Sequence, residues 1–478
     1  MSSLVCGLGW TRRTFDISTA YRQSEGASED RIPLIYPKGM IKYDYRGREL
    51  KGVLLSNLYG HPAAGNQWAK TRDEWILTHF NSADTAKGWR VYRSHSDPCL
   101  FVFETPTKET CLLLIYVDDC EAIGPNSEYL EHIRNCFNER FRSDCGPGVR
   151  DVDPAEMLGV YRRRFESDGV RYLELTQPGY VEELCRKFAD HLPSKCGRCP
   201  IPEGTVLGLK EEGYTPELAE QTEFRELGYL SATGSVLWAA RQCYVECMFA
   251  CCQLCSVMSK PSARAFKLAM GVIAWLRDNQ DTGILYRSDG NPIPIAYYDA
   301  AHNQYSSDRK AHHGSSIHLF GGPISVDSKK HDDTGDSTPY NEYMALFHCA
   351  RRVMWVRNII REVNYFNENL LFYMIREATV LYGDNDTATA RARERKTTMN
   401  DRHSALKYHT IREWVEKGEL ATDRVATADN HSDLYTKAVT GTIMHQLMYV
   451  LKGYECIYIA DDLQHKLSDP GYFDRPAL

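Results

Sequence analysis

Apolar positions fall into short runs between polar turns in the first 190 residues, then into helical periodicity, and finally into an alternation of the two. The runs at 99–103, 111–117 and 172–175 are too short for helices and are flanked by polar or turn residues, so each predicts a strand. Between them, apolar residues recur at helical spacing over 67–80, 129–141 and 180–188, and this first segment reads as α+β. Pro193-Ser194-Lys195-Cys196-Gly197-Arg198-Cys199-Pro200 breaks the pattern and predicts a boundary. Residues 223–280 then read as almost wholly helical. Beyond the turn cluster Asp289-Gly290-Asn291-Pro292, strands at 295–299, 315–321 and 378–382 alternate with helices at 343–361 and 403–417, as in an α/β layer. The expected segments are 1–192, 193–290, 291–440 and a tail at 441–478.

Composition narrows the class. A chain of 478 residues with 43% hydrophobic content can build two or three domains with cores of their own. No apolar run approaches the roughly 18–20 residues of a membrane span, so no membrane partner is expected. The N-terminus lacks the basic-then-apolar layout of a signal peptide, and sixteen cysteines in such a chain suggest reduced thiols. A net charge of −7 argues against a bulk basic nucleic-acid binder. Nucleic-acid contact would have to come from local patches such as Arg162-Arg163-Arg164 or residues 391–396, which equally suit solvated faces. Cys243, Cys247, Cys251 and Cys255 recur at four-residue spacing and predict one buried helical stripe. Cys196 and Cys199 form half of a zinc knuckle, with Cys185 or His191 as further ligands; a lone pair of this kind is a weak zinc signal.

The chemistry concentrates in carboxylates. Cys111-Leu112-Leu113-Leu114-Ile115 leads as a strand into Tyr116-Val117-Asp118-Asp119, and two adjacent acids at a strand end repel each other unless a cation lies between them. Further on, Asp299 ends a strand, Glu342 opens a helix, Asp384 follows a strand and Asp433 opens a short helical segment. Acids at such element edges can converge on one spot and hold divalent cations for attack on a phosphodiester. Singly, each of them suits a surface or capping position equally well.

Tyr297-Tyr298-Asp299-Ala300, Phe320-Gly321-Gly322-Pro323-Ile324-Ser325, Asn341-Glu342-Tyr343-Met344-Ala345-Leu346, Tyr382-Gly383-Asp384-Asn385, Lys407-Tyr408-His409-Thr410 and Asp433-Leu434-Tyr435-Thr436-Lys437 follow one another in order. Together they resemble the ribonuclease H domain of copia-type LTR retrotransposon polyproteins. Phe15-Asp16-Ile17-Ser18-Thr19-Ala20-Tyr21, Leu58-Tyr59-Gly60 with Trp68, Ser96-Asp97-Pro98, the Asp118-Asp119 hairpin, Met157-Leu158-Gly159-Val160 and Met258-Ser259-Lys260-Pro261 are similar to the reverse transcriptase of the same polyproteins. The resemblance covers roughly residues 10–440.

It implies an α+β polymerase palm, a helical thumb or connection and an α/β ribonuclease H-like domain. It also implies two Mg²⁺ ions in each active site. Asp16 and Asp118 would hold one pair, with Asp119 close by; Asp299, Glu342, Asp384 and Asp433 would hold the other. Tyr21 would be the gate against a ribose 2′-hydroxyl, Gly60 would lie at the nucleotide site, and His409 or His431 would be a proton shuttle or a helix-surface residue. The implied partners are an RNA template, a DNA primer, an RNA–DNA hybrid and deoxynucleoside triphosphates. The implied location is the cytoplasm, with the nucleus or a virus-like particle as alternatives. Two departures matter. Only fifteen residues precede Asp16, where the family carries a long, basic fingers segment, and Ala63 stands where the family has Gln. The chain therefore reads as the C-terminal piece of a polyprotein with its fingers largely missing. The alternative is a degenerate remnant that keeps the fold and at most binds nucleic acid.

Overall fold

Alternating apolar residues in the first segment assemble a five-stranded antiparallel sheet. In the computed structural model, which describes residues 1–24, 33–53, 56–84, 87–142, 155–205, 207, 216–301, 310–331, 337–393 and 405–455, its strand order is Thr11–Asp16, Asp119–Gly124, Thr110–Tyr116, Leu100–Glu104 and Arg90–Arg93. One face of the sheet is apolar by the two-residue period: Phe101, Phe103, Cys111, Leu113 and Ile115 are fully buried. Helices Ala64–Asn81 and Ser127–Arg140 supply Trp68, Ile76, Phe80, Leu130, Ile133 and Phe137 to the same core. Asn126 caps the second helix by accepting from the Glu128 amide. This smaller unit spans Trp10–Val152 with Tyr365–Asn367.

The larger unit comprises Met1–Gly9, Asp153–Asn364 and Glu368–Leu478. It contains an antiparallel sheet in the order Ile284–Arg287, Val170–Thr176, Val160–Ser167 and Ala155–Met157. A second, mixed sheet has the order Gly322–Lys330, His312–Leu319, Ile295–Ala301, Thr379–Gly383 and Leu420–Arg424. Its first three strands are antiparallel and its last two parallel. Parallel neighbours need a crossover, and the 26-residue helix Thr338–Val363 lies on this one. Its buried Met344, Leu346, Val353, Val356 and Ile360 face the core.

The expected strands and helices are present with ends shifted by a few residues. The boundaries expected at 192/193, 290/291 and 440/441 do not separate compact units, because the helical segment, the mixed sheet and the helix Gly441–Lys452 share one. The cysteine stripe is not one helix. Cys243 terminates helix Tyr229–Gln242, Cys247 lies in a 3-10 turn, and only Cys251 and Cys255 lie in helix Met248–Ser256. The break comes at Tyr244, whose hydroxyl donates to the Gln280 carbonyl while accepting from the Gln177 amide. Burial drives the Cys247 and Cys251 thiols well above their ordinary value, which suits a core role. Arg163 is paired with Glu174 at 2.7 Å across neighbouring strands. Residues 394–396 of the patch at 391–396 and most of the tail lie outside the described residues. No helix among the described residues is long and apolar enough to cross a membrane.

Candidate metal centre

Three elements of the mixed sheet and its helix bring carboxylates together. Asp299 sits near the end of the central strand and is paired in register with Gly314 on the next. A Cβ at Gly314 would lie 2.4 Å from Cβ of Tyr435, so only glycine lets the segment His431–Tyr435 pass over this strand. Asn430 pins that segment: its amide donates to the Tyr298 carbonyl at 3.0 Å and its oxygen accepts from the Ser432 amide at 3.2 Å. Asp384 follows Gly383, where a Cβ would meet the Tyr298 ring at 2.3 Å. The Thr427 hydroxyl donates to Asp384 Oδ2 at 3.0 Å. Glu342 enters from the start of helix Thr338–Val363, whose N-terminal dipole favours a carboxylate.

Oxygens of Asp299, Glu342 and Asp384 lie within 4.8 Å of one another, the only group of three or more acidic, histidine or cysteine ligands of this kind among the described residues. Asp299 and Glu342 are buried. Burial, and then the charges of Asp299 and Asp384, push the Glu342 carboxyl up to about 9. Burial, and then Asp299, push Asp433 up to about 7. Asp299 is raised too, chiefly by burial, although the Lys437 charge and the Thr436 hydroxyl that donates to it act the other way. Glu342 Oε2 and Asp433 Oδ1 are buried without a hydrogen-bond partner. Crowded, desolvated, orphaned carboxylate oxygens are the donor set that a hard divalent cation requires, and the site fits Mg²⁺ on that ground.

Asp433 lies beside this triad, its carboxyl in contact with that of Asp299. Its Oδ2 is ion-paired with Lys437 at 2.8 Å. Burial opposes the Lys437 charge, but Asp299 and Asp433 outweigh it and hold the ammonium above its ordinary value. Neither Lys437 nor Thr436 was assigned a role from sequence; the four-residue spacing between Asp433 and Lys437 was the available signal.

The histidines divide. His409 is exposed on helix Ala405–Glu416. His431 is not on a helix surface: it is fully buried, 3.0 Å from His318 and 3.1 Å from the Ser316 hydroxyl. Burial drives its imidazole well below the ordinary value, so it stays neutral.

In the smaller unit Asp16 ends its strand directly opposite Asp119, and Asp118 occupies the turn that joins Tyr116 to Asp119. Val117 carries a positive φ of 58° there, and the turn is held by the Trp68 indole donating to the Val117 carbonyl at 2.7 Å and the Ile17 amide donating to the Asp118 carbonyl at 2.9 Å. Tyr21 packs against Tyr59 with ring centroids 4.7 Å apart, and Gly60 has a φ of 91°. Burial and then Asp118 raise the Tyr59 phenol. Asp16, Asp118 and Asp119 thus share one hairpin end without forming a close triad like that of the larger unit. Cys196 and Cys199 are in no such ligand group among the described residues, and burial raises both thiols.

Outside this centre, burial lowers His312 to about 3. A histidine depressed in the folded chain gives stability that is present above its ordinary value near 6.5 and is lost as pH falls toward the folded value. His312→Asn should therefore flatten the slope of unfolding free energy between pH 6.5 and 4 by up to about 1.4 kcal/mol per unit. Urea titrations of parent and variant measure this, with the carboxyl contributions common to both. Equal slopes would show that His312 titrates freely.

No family model matches this chain. It is 23% identical over 439 residues to the "Retrovirus-related Pol polyprotein from transposon TNT 1-94" of Nicotiana tabacum, covering 91% of this chain and 30% of that protein. The chain spans under a third of the length of the curated relatives it matches first. Among solved structures, a foamy viral protease–reverse transcriptase in complex with dsDNA aligns over 87% of this chain and 67% of its own, with 10% identity and a TM-score of 0.34. An RNase H1 (LC11) in complex with an RNA/DNA hybrid aligns over 30% of this chain and 93% of its own, with 15% identity and a TM-score of 0.21.

Proposed function

We propose that this chain, homologous over nine-tenths of its length to copia-type retrotransposon Pol polyproteins, hydrolyses the RNA strand of RNA–DNA hybrids in its larger unit. The observation that carries the reading is the triad Asp299, Glu342 and Asp384, assembled from a strand, a helix start and a strand end within 4.8 Å. Magnesium bound there would supply a water of lowered pKa and offset phosphate charge. The chain's own groups set the site. Thr436 and Thr427 orient Asp299 and Asp384 through their hydroxyls. His431 is fully buried against Ser316 and His318, which argues against a role as proton shuttle.

The smaller unit is read as RNA-directed DNA polymerase, with Asp16, Asp118 and Asp119 at the hairpin, Tyr21 at the nucleotide sugar and Gly60 at the nucleotide site. Its partners would be an RNA template, a DNA primer and deoxynucleoside triphosphates. A second reading, a non-catalytic remnant, is favoured for this unit alone, since its three carboxylates form no close group.

One pair of assays separates these readings. Purified chain with Mg²⁺ should cut the RNA of a labelled hybrid and leave single-stranded RNA whole, and no cleavage would remove the nuclease assignment. Primer extension by the same preparation should be weak or absent, and robust extension would restore the polymerase in full.

A further inference from the structure

We infer that the hairpin at residues 33–53 of the smaller unit is a docking surface for single-stranded RNA, with Tyr43 and Tyr45 stacking on bases and Lys42, Arg46 and Lys51 holding phosphates. The inference rests on the polymerase reading of that unit and adds the surface that takes its template strand.

Backbone pairing builds the surface. Pro33–Leu34 pairs with Gly52–Val53, Tyr43 pairs with Glu49, and the Leu50 amide donates to the Lys42 carbonyl at 2.7 Å. The Asp44 carboxylate closes the tip by accepting from the Arg46 and Arg48 amides and from the Arg48 guanidinium, each at 2.8 Å. The aromatic side chains are left outside: Tyr45 is 86% exposed and Tyr43 61%. The Arg46 guanidinium lies 5.1 Å from the centroid of the Tyr45 ring. Large aromatic rings held in water on an ordered turn mark an interaction surface rather than a core.

Charge selects the partner. The whole chain carries −7, yet residues 33–53 hold five basic residues against two acids. One of those acids, Asp44, is already paired with Arg48 inside the turn. Lys38, Lys42, Arg46 and Lys51 are exposed, and none is in an ion pair among the described residues. Cations interleaved with exposed rings suit a polyanion whose bases are free to stack, and a duplex keeps its bases turned inward. Glu49 decides between RNA and DNA. It is exposed opposite Tyr43 and repels phosphate, but its carboxylate can accept from a ribose 2′-hydroxyl, which DNA lacks.

The test is fluorescence anisotropy of the full chain with labelled oligouridine, oligothymidine of equal length and a blunt RNA–DNA hybrid over a KCl series, with circular dichroism as the check on folding. The parent should prefer oligouridine to oligothymidine. Tyr43→Ala and Tyr45→Ala should each weaken oligouridine binding about fivefold or more while hybrid binding and cleavage stay unchanged. Lys42→Gln with Arg46→Gln should reduce the slope of log affinity against log salt by about 1.4, as two phosphate contacts are lost. Glu49→Ala should tighten oligothymidine but not oligouridine. Unchanged oligouridine affinity in the tyrosine and cation variants would overturn the docking surface and leave the polymerase reading standing. So would equal losses on oligouridine and hybrid, or a parent dimer in sedimentation that Tyr45→Ala dissolves without changing RNA affinity. A parent that prefers oligothymidine would overturn the assignment to RNA, and one that binds neither single strand would overturn both the surface and the polymerase reading.

Discussion

Asp384→Asn should abolish cleavage of the hybrid while leaving the fold intact. The side chain is the least buried of the triad and its Oδ2 accepts from Thr427, a bond that an asparagine oxygen can still accept. What the substitution removes is one of three charges holding the ion. Loss of such a ligand should slow cleavage on the order of a thousandfold or more, about 4 kcal/mol of barrier. Stability should move the other way. The Asp384 charge is among the causes that raise Asp299 and Glu342, so its removal relieves repulsion in the metal-free chain. Activity lost with an unfolding midpoint that is unchanged or higher is the expected pair of results. A variant that cuts as fast as the parent would show that Asp384 holds no ion. A variant that is inactive because it unfolds would leave the electrostatic argument without support.

Lys452→Met should be the most destabilising single change on the larger unit's interior. Lys452 and Glu246 are both fully buried, with Nζ 2.7 Å from Oε1. The ammonium also donates to the Thr282 carbonyl, and Glu246 accepts from the Trp275 indole at 3.3 Å. Removing one partner strands a carboxylate in the core, which costs about 3–5 kcal/mol. That is far more than methionine's added apolar contact returns, so the loss wins. Glu246→Gln combined with Lys452→Met should recover most of the deficit, because no charge is then left unpaired. Urea midpoints of the parent, the two single variants and the double variant measure this, and a neutral Lys452→Met would show that the pair is hydrated in solution. The pair also explains why residues after 440 belong to the larger unit: helix Gly441–Lys452 is fastened to the helical segment by a buried charge as well as by Met444, Leu447, Met448 and Leu451.

Element types were legible in the sequence because they depend on neighbours within a few residues. The alternation of apolar residues before Tyr116 gives a strand, and the helical spacing after Glu342 gives a helix, whatever the rest of the chain does. The strand Val160–Ser167 went unread because three consecutive arginines mask its alternation. The cysteine stripe was misread as one helix because four-residue spacing survives a break at Tyr244 that only a long-range hydrogen bond explains. His431 was open as a shuttle or surface residue, and its burial follows from packing against His318 and Tyr297, residues distant in sequence.

By itself, then, the sequence determined the acids, their places at element ends and the resemblance they carry, since motif identity and local periodicity are properties of short stretches. Only the tertiary structure decided which acids meet. Sheet order sets Asp299 one strand from Gly383 and its following Asp384. The missing Cβ of Gly314 admits the His431–Tyr435 segment, and Lys437 then claims Asp433. The desolvation that pushes Glu342 up to about 9 exists only once the core has closed around it.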